Sequence, residues 1–305
     1  MTQHQVLQLE KFFNSSSCCF DGAVITDLDG TAVHEFEGKT VIHHSVKLGL
    51  KKIYESGRPI VINTLRFPLS VIRTFAVDWY KISNAPIPVI LLNGSQLGFI
   101  TKEQAGFAFD QLISFPLTAL EINRVLTILQ SFVDDNIRDI ILFYYPENWK
   151  NGEIIWTPDE LRIPHLQAKY RSASSVISTT LEQLAGLLLS NPVCMILLLV
   201  DLPSDRLMAY QHTGHNDFIT HEGVDKLFGT EQMAKLLNFN LSHSVGAGDS
   251  NMDTFLSAVG LSVHVGNANL PFKGTAATLK IADFFDLGNF LNHFANLQAV
   301  TKKIK

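Results

Sequence analysis

The chain has few cysteines, little charge and no unbroken apolar run of membrane length. Three cysteines among 305 residues, with Cys18 beside Cys19 and Cys194 far away, make neither a disulfide framework nor a zinc spacing. A reducing, cytoplasmic setting is expected. Charged residues are 17% of the chain and the net charge is -5, so there is no basic footprint for DNA or RNA and a nucleic-acid partner is not expected. The most apolar stretch, Leu184 to Val200, is split by Ser190, Asn191 and Pro192, and neither half approaches the ~20 residues of a spanning helix. The first twenty residues lack a basic segment leading into an apolar stretch and a cleavage site, so neither a secretory leader nor a membrane partner is expected. Internal repeats and low-complexity segments are also missing.

What is present is a chain with 46% hydrophobic residues, longer than one core usually organises, which favours two domains. Residues 1–21 are polar and read as an amino-terminal arm or a short first helix. Ala23 to Thr26 is a short apolar, β-branched run feeding a loop, as in a buried parallel strand. Helical spacing follows over Ser45 to Ser56, with Gly57 as the stop. Then come a strand at Pro59 to Asn63, a helix at Pro68 to Trp79 and a strand at Pro88 to Leu92. Such alternation predicts an α/β fold, a Rossmann-like doubly wound parallel sheet.

From about residue 100 the rhythm changes. A helix at Leu117 to Phe132, strands at Asp139 to Tyr145 and Glu153 to Thr157, a helix at Leu181 to Leu189 and strands at Val193 to Val200 and Arg206 to Gln211 place strands next to one another, which predicts antiparallel pairing in an inserted α+β module. The parallel pattern resumes with a helix at Lys226 to Leu237, a strand at His243 to Gly246, a helix at Met252 to Val259 and a strand at Leu261 to Val265. The expected organisation is a discontinuous core of 22–99 and 216–305 around an insertion of 100–215. His212, His215 and His221 fit no zinc spacing.

Asp27 and Asp29 follow the first predicted strand, and ligands of open α/β sheets bind outside the carboxyl ends of strands. Gly30 permits close backbone approach and Thr31 can cap the next turn, so the loop can offer N–H groups to an anion. A phosphate beside two carboxylates calls for a cation, and Mg²⁺ suits carboxylate and phosphate oxygens. A second acidic segment, Gly248-Asp249-Ser250-Asn251-Met252-Asp253, follows another predicted strand and reaches the same sheet edge. If a helix opens there, the carboxylates of Asp249 and Asp253 face the same way, one for the metal and one for a ligand or a lysine. Thr64 offers a hydroxyl after its strand and Lys226 a point charge suited to phosphate.

Asp27-Leu28-Asp29-Gly30-Thr31, then Thr64, then Lys226, then Gly248-Asp249 with Asp253 resemble the four ordered motifs of the haloacid dehalogenase-like superfamily. Val89 to Gly94, Gly223-Val224-Asp225-Lys226 and Val265-Gly266-Asn267-Ala268 resemble its Cof-type subfamily, which carries a large α/β cap. The resemblance spans roughly residues 22–290 and implies a Mg²⁺-dependent phosphatase acting on a small phosphorylated metabolite. It implies Asp27 as nucleophile, Asp29 as acid and base, Thr64 and Lys226 as holders of phosphate, and a metal site of Asp27, Asp29 through its carbonyl, Asp249 and Asp253. Gly30, Leu65, Arg66 and Asn251 join the expected phosphate-binding set. Two residues depart from the family pattern: Leu65 stands where glycine is usual, and Met252 where asparagine is usual. Transfer of the phosphoryl group to a second hydroxyl, or a binding role without turnover, are the alternative readings, and the oligomeric state is left open.

Overall fold

The computed structural model describes residues 2–15, 21–137, 139–200 and 218–304. The chain divides into two compact units, Met1–Leu65 with Val71–Leu112 and Asp225–Lys305, and Arg66–Ser70 with Ile113–Val224.

The first unit is built on an eight-stranded sheet. Its strands are β1 (Val24–Thr26), β4 (Ile60–Asn63), β5 (Ile87–Leu91), β6 (Gln96–Glu103), β7 (Gly106–Ser114), β13 (Val245–Gly248), β14 (Leu261–Val265) and β15 (Ala277–Ile281). The order across the sheet is β15-β14-β13-β1-β4-β5-β6-β7. The strands from β15 to β5 pair in parallel, and β6 turns back antiparallel on β5. Every residue of β1, β4 and β13 is buried, as a sheet covered on both faces requires, and each aliphatic side chain removed from water there contributes roughly 1.5–3 kcal/mol. A small hairpin of β2 (Val33–Phe36) and β3 (Lys39–Ile42) follows β1.

Helices cover this sheet because their apolar positions recur on one face. In α2 (His44–Glu55) Val46, Leu50 and Ile53 are buried, and His43 caps its first turn. The chain then leaves through Gly57 at φ 89°, a conformation that costs glycine nothing. The α1 helix (Gln3–Ser15) is more than a loose arm: Leu9, Phe12 and Phe13 are buried, and Phe13 meets Phe294 edge-on at 5.9 Å. Phe294 belongs to α9 (Phe284–Ile304). The expected single helix over 68–79 is two, α3 (Pro68–Thr74) and α4 (Ala76–Ser83), because Phe75 sits at φ -121° between them.

The second unit has its own core. Its sheet runs β10 (Ser175–Ile177), β9 (Ile154–Trp156), β8 (Ile140–Pro146), β11 (Val193–Val200) and β12 (Phe218–Ile219), antiparallel except for the β9–β10 pair. Helices α5 (Ala119–Asp134) and α7 (Leu181–Ser190) bury Val125, Leu129, Leu184 and Leu188 in the same cluster as Leu142 and Trp156. Each opens with a capping box, Thr118 with Glu121 and Thr180 with Gln183, which satisfies two orphan donors at once. A shorter helix, α6 (Ile163–Lys169), lies between them in sequence.

The compact units part at 65/66, 70/71, 112/113 and 224/225. The expected strand at Arg206–Gln211 lies outside the described residues, as do His212 and His215. No helix among the described residues is long and apolar enough to cross a membrane.

Candidate active site

The parallel strands β1, β4 and β13 end in register, Thr26 facing Ile62 on one side and Ala247 on the other. Asp27 extends the ladder by one bond, donating its N–H to Ala247 O at 3.0 Å. The backbone then closes on itself, with Thr31 N and Val33 N both bonded to Leu28 O. Gly30 takes φ 74°, and a Cβ there would overlap the Asp249 carboxylate. Only glycine admits the approach of these two loops. Thr31 Oγ1 fastens it by donating to Asp249 Oδ1 at 2.9 Å.

Lys226 is the first residue of α8 (Lys226–Leu237), where Asp225 caps the helix through Phe228 N. Its side chain is buried, with Nζ 3.0 Å from Asp27 Oδ1 and 2.7 Å from Asp253 Oδ1. The expected helix at 252–259 is only a short 3-10 turn, Thr254–Ser257. Asp253 instead ties the loop: its Oδ2 accepts from Asp249 N and Ser250 N, each at 2.9 Å, and from Ser250 Oγ. Both Asp253 oxygens are therefore engaged, one by the loop and one by Lys226.

Carboxylate oxygens of Asp27, Asp249 and Asp253 lie within 4.8 Å of one another. Burial raises the Asp27 carboxyl from 3.8 to about 8, with Lys226 pulling it down and Asp253 and Asp249 pushing it up. Burial works against the Lys226 ammonium as well, yet Asp27 and Asp253 hold it above the ordinary lysine value. Asp249 is also raised, by burial first, against the Thr31 hydroxyl. Three carboxylates gather around one ammonium, with Asp27 and Asp253 buried and Asp249 half-buried. A hard divalent cation fits this all-oxygen set.

Residues 195–280 match the model of a haloacid dehalogenase-like hydrolase family. Among solved structures, a phosphatase of the haloalkanoate superfamily from Bacteroides thetaiotaomicron matches with a TM-score of 0.63 at 19% identity, over 90% of this chain and 96% of its own. A protein from Thermotoga maritima gives 0.62 at 15%, over 92% and 97%. A sugar phosphatase of subclass IIB gives 0.63 at 16%, over 90% and 98%. The fold is that of the haloacid dehalogenase-like hydrolases. No curated protein matches the sequence.

Within this haloacid dehalogenase-like core the remaining expected residues are dispersed. Thr64 is buried one residue past β4, its N–H bonded to Ile90 O at 2.9 Å. Asp29 and Gly30 are exposed on the loop after β1, and the Asp29 carboxylate is not in the metal-competent group. Leu65 is half-buried and Asn251 is exposed. Arg66 belongs to the second unit and bonds Ser70 Oγ at 3.1 Å. Two contributors escaped the sequence reading. Asn63 donates from Nδ2 to Lys226 O and Thr230 Oγ1, and Thr254 Oγ1 accepts from Leu227 N. The only hint of Asn63 is its amide at the end of Ile60-Val61-Ile62.

Proposed function

We propose that the chain is a phosphatase that hydrolyses small phosphomonoesters through an aspartyl-phosphate on Asp27. The observation that carries this reading is a buried carboxylate at the end of the central parallel strand, held 3.0 Å from a buried lysine and grouped with Asp249 and Asp253. Phosphoryl transfer asks for placement and charge neutralisation above all, and these residues supply both.

In the first step an Asp27 oxygen attacks phosphorus, the Oδ–P bond forms and the ester P–O bond breaks. The leaving oxygen takes a proton from Asp29, which lies exposed on the loop after β1. In the second step Asp29 accepts a proton from water as that water attacks phosphorus. The Oδ–P bond breaks, inorganic phosphate is released and Asp27 is regenerated. Lys226 and Thr64 hold phosphate oxygens, with Gly30, Leu65 and Asn251 as further expected contacts. Asp27 and Asp249, with the Asp29 carbonyl, would hold Mg²⁺, and Asp253 keeps Lys226 and the Asp249 loop in place. When bound, the ion offsets negative charge on the phosphate and carboxylates.

We read the unit of 113–224 with 66–70 as the inserted cap of the Cof-type arrangement and a reducing compartment as its setting. A sugar phosphate is the first substrate to try, since one similar structure is a sugar phosphatase. The test is an assay over a panel of phosphate esters with and without Mg²⁺, comparing wild type with Asp27→Asn. Metal-dependent release of phosphate that disappears in the variant supports the reading; full metal-dependent activity in Asp27→Asn overturns it.

A further inference from the structure

A lysine side chain has four rotatable bonds, and freezing them costs conformational entropy. For Lys226 Nζ to meet Asp27 and Asp253 together, the backbone at the start of α8 must be fixed. Three neighbours fix it. Asn63 Nδ2 donates to Lys226 O at 3.0 Å and to Thr230 Oγ1 at 2.8 Å, while Thr230 Oγ1 itself donates to Lys226 O at 2.7 Å. Leu227 N is bonded to Thr254 Oγ1 at 3.0 Å. The turn of Leu92, Asn93 and Gly94 has positive φ at all three residues, and a Cβ on Gly94 would overlap Asp225 O.

The Asn63 amide is the informative member. It is fully buried, and its Oδ1 has no hydrogen-bond partner. A valine would fill the strand position without an orphaned carbonyl, so packing alone gives no reason for an amide. The orientation is set by Lys226 O, which can only accept and so requires Nδ2 to face it.

We infer that Asn63 is a positioning residue for Lys226, acting through the backbone of the first turn of α8 to hold the ammonium between Asp27 and Asp253. The consequence for turnover rests on the phosphatase reading; the positioning itself does not. Displacing α8 by a fraction of an ångström moves the ammonium off Asp27 while the strand and the acidic loop stay intact.

The experiment uses the full chain and compares wild type, Asn63→Val, which keeps the strand packed and removes both Asn63 bonds, and Thr230→Val, which removes the Thr230 bond to Lys226 O and one acceptor of Asn63 but keeps Asn63 bonded to Lys226 O. Competitive labelling of lysines with acetic anhydride, read by mass spectrometry, reports how freely the Lys226 amine reacts relative to exposed Lys51 and Lys81. In Asn63→Val, Lys226 labelling is expected to rise about fivefold, the worth of one net hydrogen bond. Thr230→Val is expected to raise it less. Hydrolysis of p-nitrophenyl phosphate with Mg²⁺ by the same proteins is expected to lose kcat in the same order. Lys226 labelling at the wild-type rate in folded Asn63→Val overturns the inference. Raised labelling in a protein whose wild type hydrolyses no ester leaves the positioning intact and removes the phosphatase reading.

Discussion

Lys226 Nζ stands 3.0 Å from Asp27 Oδ1, with 1% of the lysine side chain and 8% of the aspartate side chain exposed. A buried ammonium shared by two buried carboxylates is poorly replaced by a neutral chain, because removal strands the remaining charges. Lys226→Met is expected to lower the free energy of unfolding by about 3–5 kcal/mol in metal-free buffer. Urea denaturation checks it, and a loss below 1 kcal/mol would mean that the pair carries little weight.

The same crowding makes stability depend on pH. Burial lifts Asp27 from 3.8 to about 8, so the folded protein binds this proton more tightly than the unfolded chain. Its contribution is complete below the unfolded value and is lost as pH rises through about 8. In the presence of EDTA, Asp27→Asn is expected to melt at the wild-type temperature or below near about pH 4 and above it near about pH 9. Thermal melts at both values decide, and a gap of constant size contradicts the expectation.

Much of the core was legible. β1, β4 and β14 fall where the short apolar runs place them, because a parallel sheet buried on both faces leaves a run of Val, Ile and Leu. The motif residues Asp27, Lys226, Asp249 and Asp253 also converge, since the ends of β1 and β13 are in register. Three features were not legible. The helix expected after Met252 gives way to a turn in which Asp253 accepts from Asp249 N and Ser250 N of the same loop and from Lys226 across the fold, a contact that spacing does not encode. The break at Phe75 lies inside a run with good helical spacing. Asn63 acts across elements far apart in sequence, and only the packed structure pairs its amide with Lys226 O.

Gly30 carries a separate prediction. At φ 74°, with the Asp249 carboxylate where a Cβ would stand, Gly30→Ala must strain the backbone and push Asp249 away. A cost of roughly 1–3 kcal/mol is expected, along with a weaker response to Mg²⁺. Melting curves with rising Mg²⁺ measure both. Wild-type stability and an unchanged metal response would show that the loops can separate freely.

In the second unit, burial works against the Glu121 carboxylate, but Thr118, His221 and the Glu222 amide outweigh it and hold the pKa down to about 2. A depressed carboxylate contributes stability above its unfolded value and loses it as pH falls through the folded one. Glu121→Gln is therefore expected to be less stable than wild type by about 1 kcal/mol near neutral pH. By about pH 2 that deficit should have closed. Urea unfolding of the two proteins at both values is the check, and a deficit that persists in acid would trace it to shape and not charge.

The central claim is that Asp27 carries the phosphoryl group. Borohydride added during turnover of a phosphate ester reduces an acyl phosphate to an alcohol, which converts the aspartate into homoserine, and peptide mass spectrometry locates it. The account predicts homoserine at position 27, dependent on Mg²⁺ and ester. Conversion at another carboxylate, or steady ester hydrolysis with Asp27 unmodified, would contradict it.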